Sequence, residues 1–164
     1  MATLTSGKKA PQIDLNDLDG ARASLQDSLA RGPALVAFFK VSCPTCQFTF
    51  PFVERIFQQF RAQGIQVWGI SQDDAAHSRQ FTTEYGVTFP ILIDEYPYET
   101  SREYGVKYVP TLFLIAPDGR VELMSDGFCK VDLLEIQKLL GKHFSVTPPA
   151  PFQPSDGVPE FKPG

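Results

Sequence analysis

The sequence predicts an α/β protein, a central mixed β-sheet flanked by helices in three α/β/α layers, and three observations predict it. Residues Ala34–Phe39 are continuously apolar, as in a strand covered on both faces. On either side of that run, stretches of strand character alternate with apolar residues at helical spacing. Towards the end, Pro117-Asp118-Gly119-Arg120 makes a tight turn between two extended stretches, which adds an antiparallel hairpin to the sheet.

Taken in order, residues 12–15 read as a short edge strand, followed by the turn-like Leu18-Asp19-Gly20 and an amphipathic stretch over 25–30. The buried strand comes after Gly32-Pro33. From 44 to 63, Phe48, Phe52, Val53, Ile56, Phe57 and Phe60 recur at helical spacing, with Gly64 as the stop. Residues 65–70 form a second strand, Ala75–Tyr85 a helix closed by Gly86, and 90–93 a short extended piece. A short helix over 99–104 stops at Gly105, and Thr111–Ile115 enters the hairpin, from which 121–124 returns. Leu133, Leu134, Ile136, Gln137 and Leu140 outline a last helix ending near Gly141 or His143.

With 164 residues, 43% of them hydrophobic, the chain holds one substantial core and is too short for two ordinary domains. The expected organisation is a flexible N-terminus over 1–10, one domain over 11–144 and a Pro-rich C-terminal tail over 145–164. That tail carries Pro148, Pro149, Pro151, Pro154, Pro159 and Pro163, which leaves little room for a helix or central strand. It is expected outside the core, either extended along the surface through Phe152 and Phe161 or disordered.

A net charge of −4 without a basic run provides no footprint for nucleic acid. No apolar stretch follows Lys8 and Lys9, so neither a signal peptide nor a membrane anchor is expected. The sequence therefore predicts a cytoplasmic protein with no membrane partner, the alternative being a periplasmic or secreted protein with its leader removed.

Three cysteines are too few for a disulfide scaffold, and the spacing of two of them carries the chemistry. Cys43 stands where the buried strand ends and the long helix begins, beside unpaired backbone N–H groups and the positive end of the helix dipole. Both favour the thiolate, the attacking species. Cys46, one turn on, can reach the first sulfur and release a mixed disulfide by closing the ring. Pro44 suits the first helical position, since its missing N–H would have no intrahelical partner, and Thr45 keeps a donor and adds a hydroxyl. Zinc requires about four ligands, and only Cys129, His77 and His143 remain, without paired spacing, so no metal is expected. Cys129 reads as a small core residue, and the two histidines as surface groups.

Phe38-Phe39-Lys40-Val41-Ser42-Cys43-Pro44-Thr45-Cys46, then Pro51 and Val109-Pro110-Thr111, resembles the thioredoxin superfamily. Ala10-Pro11, Asp17-Leu18-Asp19-Gly20, Tyr85-Gly86-Val87, Phe89-Pro90 and Tyr104-Gly105-Val106 are similar to its redoxin branch, which contains peroxiredoxins (AhpC/TSA) and the TlpA and ResA-like thiol-disulfide oxidoreductases. The resemblance covers roughly residues 11 to 143. It implies a thioredoxin-like fold and a cis Val109–Pro110 bond facing the dithiol, with Val109, Pro110 and Thr111 binding an extended substrate segment by edge addition. Pro51 is expected to kink the active-site helix.

Departures from the family pattern are also informative. Ser42 replaces the usual Trp and opens one side of the first sulfur. Ala37 and Thr49 stand where many relatives carry the buried Asp or Glu that takes the proton of the second cysteine. Lys40, three residues before Cys43, either tunes the thiolate or ends the strand in solvent. Peroxidatic relatives carry a hydroxyl residue at that position, which weakens the alternative reading as a thiol peroxidase with Cys43 as the peroxidatic cysteine. A third reading is a non-enzymatic binding module. The leading expectation is a thiol-disulfide oxidoreductase acting on a disulfide-containing protein or a small thiol, restored by an external thiol reductant or oxidant. No flavin, nicotinamide or metal motif appears, so no cofactor is expected.

Overall fold

The computed structural model describes residues 2–147, 152 and 156–164. Seven strands form one mixed sheet, and those that frame the site occupy its middle. The first two are β1 (Asp14–Asp17) and β2 (Arg22–Ser24), followed by helix α1 (Leu25–Leu29) and strand β3 (Ala34–Phe39). Helix α2 (Pro44–Phe60) runs into a single 3-10 turn (Arg61–Gln63), and then come β4 (Gln66–Ser71), α3 (Ala75–Tyr85), β5 (Ile91–Ile93) and α4 (Glu99–Glu103). Next are the hairpin β6 (Thr111–Ile115) and β7 (Val121–Asp126), the short β8 (Phe128–Cys129), α5 (Lys130–Phe144) and β9 (Phe161–Lys162). The sheet order is β2-β1-β5-β4-β3-β6-β7, and β8 pairs with β9 in a separate two-stranded ladder.

β3 lies parallel to β4 and antiparallel to β6, and all six of its residues are buried. Period-two alternation sends Ala34, Val36 and Phe38 to one face, where they pack with Leu25 from α1, Trp68 and Tyr104. Leu35, Ala37 and Phe39 point the other way, into a cluster built from α2, α3 and α5 through Phe50, Ile56, Phe81 and Ile136. Helices on both faces make the three layers. The second cluster is rich in rings: Phe39 lies 4.5 Å from Phe50 and 4.8 Å from Phe81 between centroids.

One expectation is corrected. The first strand begins at Asp14 rather than at residue 12, and it is not an edge, because β2 folds back outside it. The cause is local: Asp17 Oδ1 accepts hydrogen bonds from the Asp19 and Ala21 amides, closing a tight turn that returns the chain antiparallel. The last helix ends at Phe144, next to the expected His143, and stops at Ser145, which adopts a left-handed conformation (φ 57°). Gly64 and Gly86 cap their helices in left-handed conformation at the expected places.

The described residues near both ends, 2–10 and 156–164, are tied to the domain. Residues 2–10 are bound by the Leu4 amide to the Tyr104 carbonyl (3.1 Å) and the Gly7 amide to the Val121 carbonyl (2.8 Å), and the Val121 amide donates to the Lys8 carbonyl (2.9 Å). The first bond holds Leu4 at the end of α4, and the other two lay Gly7 and Lys8 against the start of β7. Phe152 is buried, with its ring 5.0 Å from Phe52 and 6.0 Å from Phe128, while Phe161 is exposed beside β8. The prolines at 148, 149, 151 and 154 lie outside the described residues. Among the described residues, no helix is long and apolar enough to cross a membrane.

Candidate active site

The strand-to-helix junction expected from the sequence is formed by β3 and α2. Cys43 is the N-cap of α2 in extended conformation, and Pro44 fills the first turn. The Cys46 amide donates to Cys43 Sγ at 3.1 Å, satisfying one of the helix's free N–H groups with sulfur. Cys43 is half-buried, Cys46 fully buried, and both are free thiols. Burial pushes the Cys46 thiol well above the ordinary range, and its hydrogen bond to Cys43 acts in the same direction. One sulfur is reachable and the other is held back as a protonated thiol.

The Val109–Pro110 bond is cis, and it brings the Val109 carbonyl to 3.4 Å from Cys43 Sγ, which donates to it. This loop and the dithiol, 66 residues apart in sequence, thus face each other as the resemblance implied. Thr111 turns elsewhere: it is buried, and its hydroxyl donates to the Tyr108 carbonyl at 2.6 Å, closing the loop. Pro110 is anchored by its carbonyl, which accepts from the Gly127 amide at 2.8 Å. A second cis bond, Tyr96–Pro97, which the sequence reading did not include, precedes α4.

Lys40 and Ser42 are exposed, so the Lys40 side chain ends the strand in solvent. Its backbone serves the loop, because its carbonyl accepts from the Cys43 amide at 3.2 Å. Thr49 is buried and donates its hydroxyl to the Thr45 carbonyl at 2.6 Å, a backbone bond that carries no acid function. Ala37 lies in the same apolar cluster as Cys46 and offers no proton acceptor. The nearest buried carboxylate in sequence, Glu54, is engaged with the Thr88 amide (2.8 Å), the Thr88 hydroxyl (2.6 Å) and Gln58 (2.6 Å). Pro51 sits inside α2.

Two positioning residues escaped the sequence reading. Asp73 Oδ2 accepts from the Val41 amide at 2.8 Å, and Gln47 Nε2 donates to the Val41 carbonyl at 2.9 Å. Together they fix both backbone groups of the residue that bridges Lys40 and Ser42 in the loop leading to Cys43. Asp73 is in turn oriented by its own amide, which donates to Ser71 Oγ at 3.0 Å. Cys129 is half-buried at the start of α5, and burial raises its thiol above the ordinary range. Among the described residues, no cluster of three His, Cys, Asp or Glu side chains could hold a metal ion.

A three-layer mixed sheet with a dithiol at the start of α2, facing a cis-proline loop, defines a thioredoxin-fold thiol-disulfide oxidoreductase. Residues 6–124 match the AhpC/TSA family, and the chain belongs to it. The thiol-disulfide oxidoreductase ResA of Bacillus subtilis is 31% identical over 132 residues, spanning 76% of this chain and 69% of the relative. A Chlorobium tepidum structure described as a thiol:disulfide interchange protein DsbE is 30% identical with a TM-score of 0.74, covering 84% of this chain and 98% of that one. A Bacteroides thetaiotaomicron structure described as a protein disulfide isomerase has a TM-score of 0.80 over 88% of this chain and 95% of that one, and at 18% identity it speaks for the fold alone.

Proposed function

We propose that the Cys43/Cys46 couple exchanges two electrons with a disulfide in a polypeptide or small molecule, Cys43 attacking and Cys46 resolving. The Cys43 thiolate attacks one sulfur of the substrate disulfide; that S–S bond breaks, a Cys43–substrate disulfide forms, and the departing sulfur takes a proton. Cys46 then loses its proton and attacks Cys43 Sγ. The intramolecular disulfide forms and the second substrate sulfur leaves as a thiol, so the substrate is reduced and the protein oxidised by two electrons. An external thiol reductant restores the dithiol. Run in reverse, the same steps oxidise a substrate dithiol.

The observation that carries this reading is the pairing of a reachable sulfur with a buried one on the same helix turn, joined by the 3.1 Å Cys46 amide bond. Val109 and Pro110 form the opposite wall, where a substrate backbone would pair. The test is the reduction potential of the couple, measured by thiol trapping in defined glutathione or dithiothreitol buffers. A reversible couple near about −270 mV identifies a reductase, and one near about −120 mV an oxidant. If no Cys43–Cys46 disulfide forms in any buffer, the dithiol mechanism fails.

A further inference from the structure

The segment after residue 155 does more than close the domain: it runs into the cleft that holds Cys43. Asp156 pairs with Arg55 on α2 at 2.8 Å, and the Glu160 carbonyl accepts from the Lys130 amide at 2.9 Å. β9 then adds antiparallel to β8, with Lys162 opposite Phe128 and Phe161 opposite Cys129. The Lys162 ammonium sits 4.8 Å from the centroid of the Phe48 ring. The Pro163 carbonyl accepts from the Thr45 hydroxyl at 2.6 Å, inside the Cys-Pro-Thr-Cys motif itself. Gly164 lies so close to the cis-proline loop that a Cβ there would overlap the Val109 carbonyl oxygen. That same oxygen accepts from Cys43.

Residues 163 and 164 therefore span the cleft from Thr45 on one wall to Val109 on the other. Glycine is present at both close crossings: a Cβ on Gly127, whose φ is 69°, would overlap the Lys162 carbonyl oxygen. The arrangement is strand addition to an open edge, the manner in which an extended polypeptide is bound. No cysteine occurs between residues 130 and 164, so this occupant cannot be oxidised or reduced.

We propose that residues 160–164 are a built-in competitor for polypeptide substrates: residues 160–162 are held against Lys130 and β8 and keep 163 and 164 in the groove between Thr45 and Val109, from which a substrate polypeptide must displace them. The proposal rests on the exchange reading above. Tethering supplies the segment at an effective concentration of about a millimolar, so weak contacts suffice to keep it in place. Because Cys43 stays half-buried rather than sealed, small disulfides reach the sulfur with the strap in position. The groove thus favours long substrates that can replace a whole strand, and sets their affinity by the population of the lifted state.

The test uses the full chain carrying Lys162→Pro and Gly164→Leu, which removes a strand N–H and the cation over Phe48 and drives a side chain into Val109. Loss of hydrogen-exchange protection over 156–164 verifies that the strap has lifted. Insulin then serves as polypeptide disulfide and hydroxyethyl disulfide as the small one. The lifted chain is expected to show a KM for insulin about tenfold lower with kcat within about twofold, and an unchanged rate with hydroxyethyl disulfide. A synthetic peptide of residues 156–164 raises that KM again, competitively. Equal insulin KM in the parent and lifted chains, with exchange intact, overturns the competitor. Absence of exchange from both chains, together with no Cys43–Cys46 disulfide, would instead overturn the exchange reading beneath it.

Discussion

The Cys46 amide lies 3.1 Å from Cys43 Sγ while the Cys46 side chain is wholly buried behind it, so a single residue meets the attacking sulfur with its backbone and holds the second thiol in reserve. The two parts act at different times. The amide serves Cys43 before attack, and the thiol acts only once a mixed disulfide has formed.

This division of labour predicts opposite outcomes for the two cysteine variants. Cys43→Ser abolishes exchange and all mixed-disulfide formation. Cys46→Ser keeps the amide and the first step, and accumulates a Cys43–substrate disulfide that survives in non-reducing gels after acid quenching. Accumulation in Cys43→Ser instead would reverse the assigned order.

The second step has a pH signature. Because burial raises the Cys46 thiol, it stays protonated through neutral pH, and its thiolate fraction grows about tenfold per pH unit. Release of a chromogenic thiol from a Cys43 mixed disulfide, followed by stopped flow, is expected to accelerate about tenfold per pH unit between roughly pH 7 and 9. A flat profile would show that Cys46 does not carry out that step.

The same shift bears on stability. A thiol raised by folding keeps its proton in the native state above about pH 8.5, where the unfolded chain has lost it, so stability falls from there upward by at most about 1.4 kcal/mol per pH unit. Tyr104, also raised, chiefly by burial, adds a second loss beginning near about pH 10. Urea unfolding of the reduced chain between these limits should therefore be steeper in pH than that of Cys46→Ala.

Asp73→Ala removes the acceptor of the Val41 amide, leaving a partly buried donor unpaired at a cost of about 1–3 kcal/mol. The expected result is a lower urea midpoint with slower exchange, both restored in Asp73→Asn, which keeps an acceptor oxygen. A variant that loses activity equally in the Asn form would indicate that charge, rather than loop position, is what Asp73 supplies.

Gly69→Ala tests the packing of β4 beneath the active-site helix. A Cβ there would stand 2.6 Å from Ile91 Cδ1 and 3.2 Å from both the Phe39 and Phe50 rings. Overpacking of this kind costs about 1–3 kcal/mol, read as a drop in Tm.

Much of the fold was legible in the sequence because its elements are locally marked. Ala34–Phe39 has no polar residue to place at a surface, Gly64 and Gly86 end their helices with left-handed caps, and Pro117 to Arg120 carry their own turn chemistry. The first strand was misplaced because Asp14, Asn16 and Asp17 lack β-propensity, and a neighbouring strand rather than the residues themselves fixes them in the sheet. The dithiol could be read from spacing alone. Asp73 could not, since an aspartate after a strand is an ordinary loop residue until the fold brings Val41, 32 positions away, against it. Nor did the prolines near the end of the sequence announce that the residues beyond them would reach Thr45 and Val109.

The two outermost strands of the sheet are guarded in different ways. β2 is only three residues long, and Arg22 makes an ion pair with Asp14 on its neighbour, so it offers little template for another chain. β7 is twice that length and carries apolar residues, and residues 6–10 are laid against its beginning through Ser6, Gly7, Lys8 and Ala10. Those few residues act as a selvedge. Trimming them leaves Cys43 and Cys46 untouched yet frees the amide and carbonyl of Val121, so exchange is expected to persist while edge-to-edge association rises, read as increased light scattering.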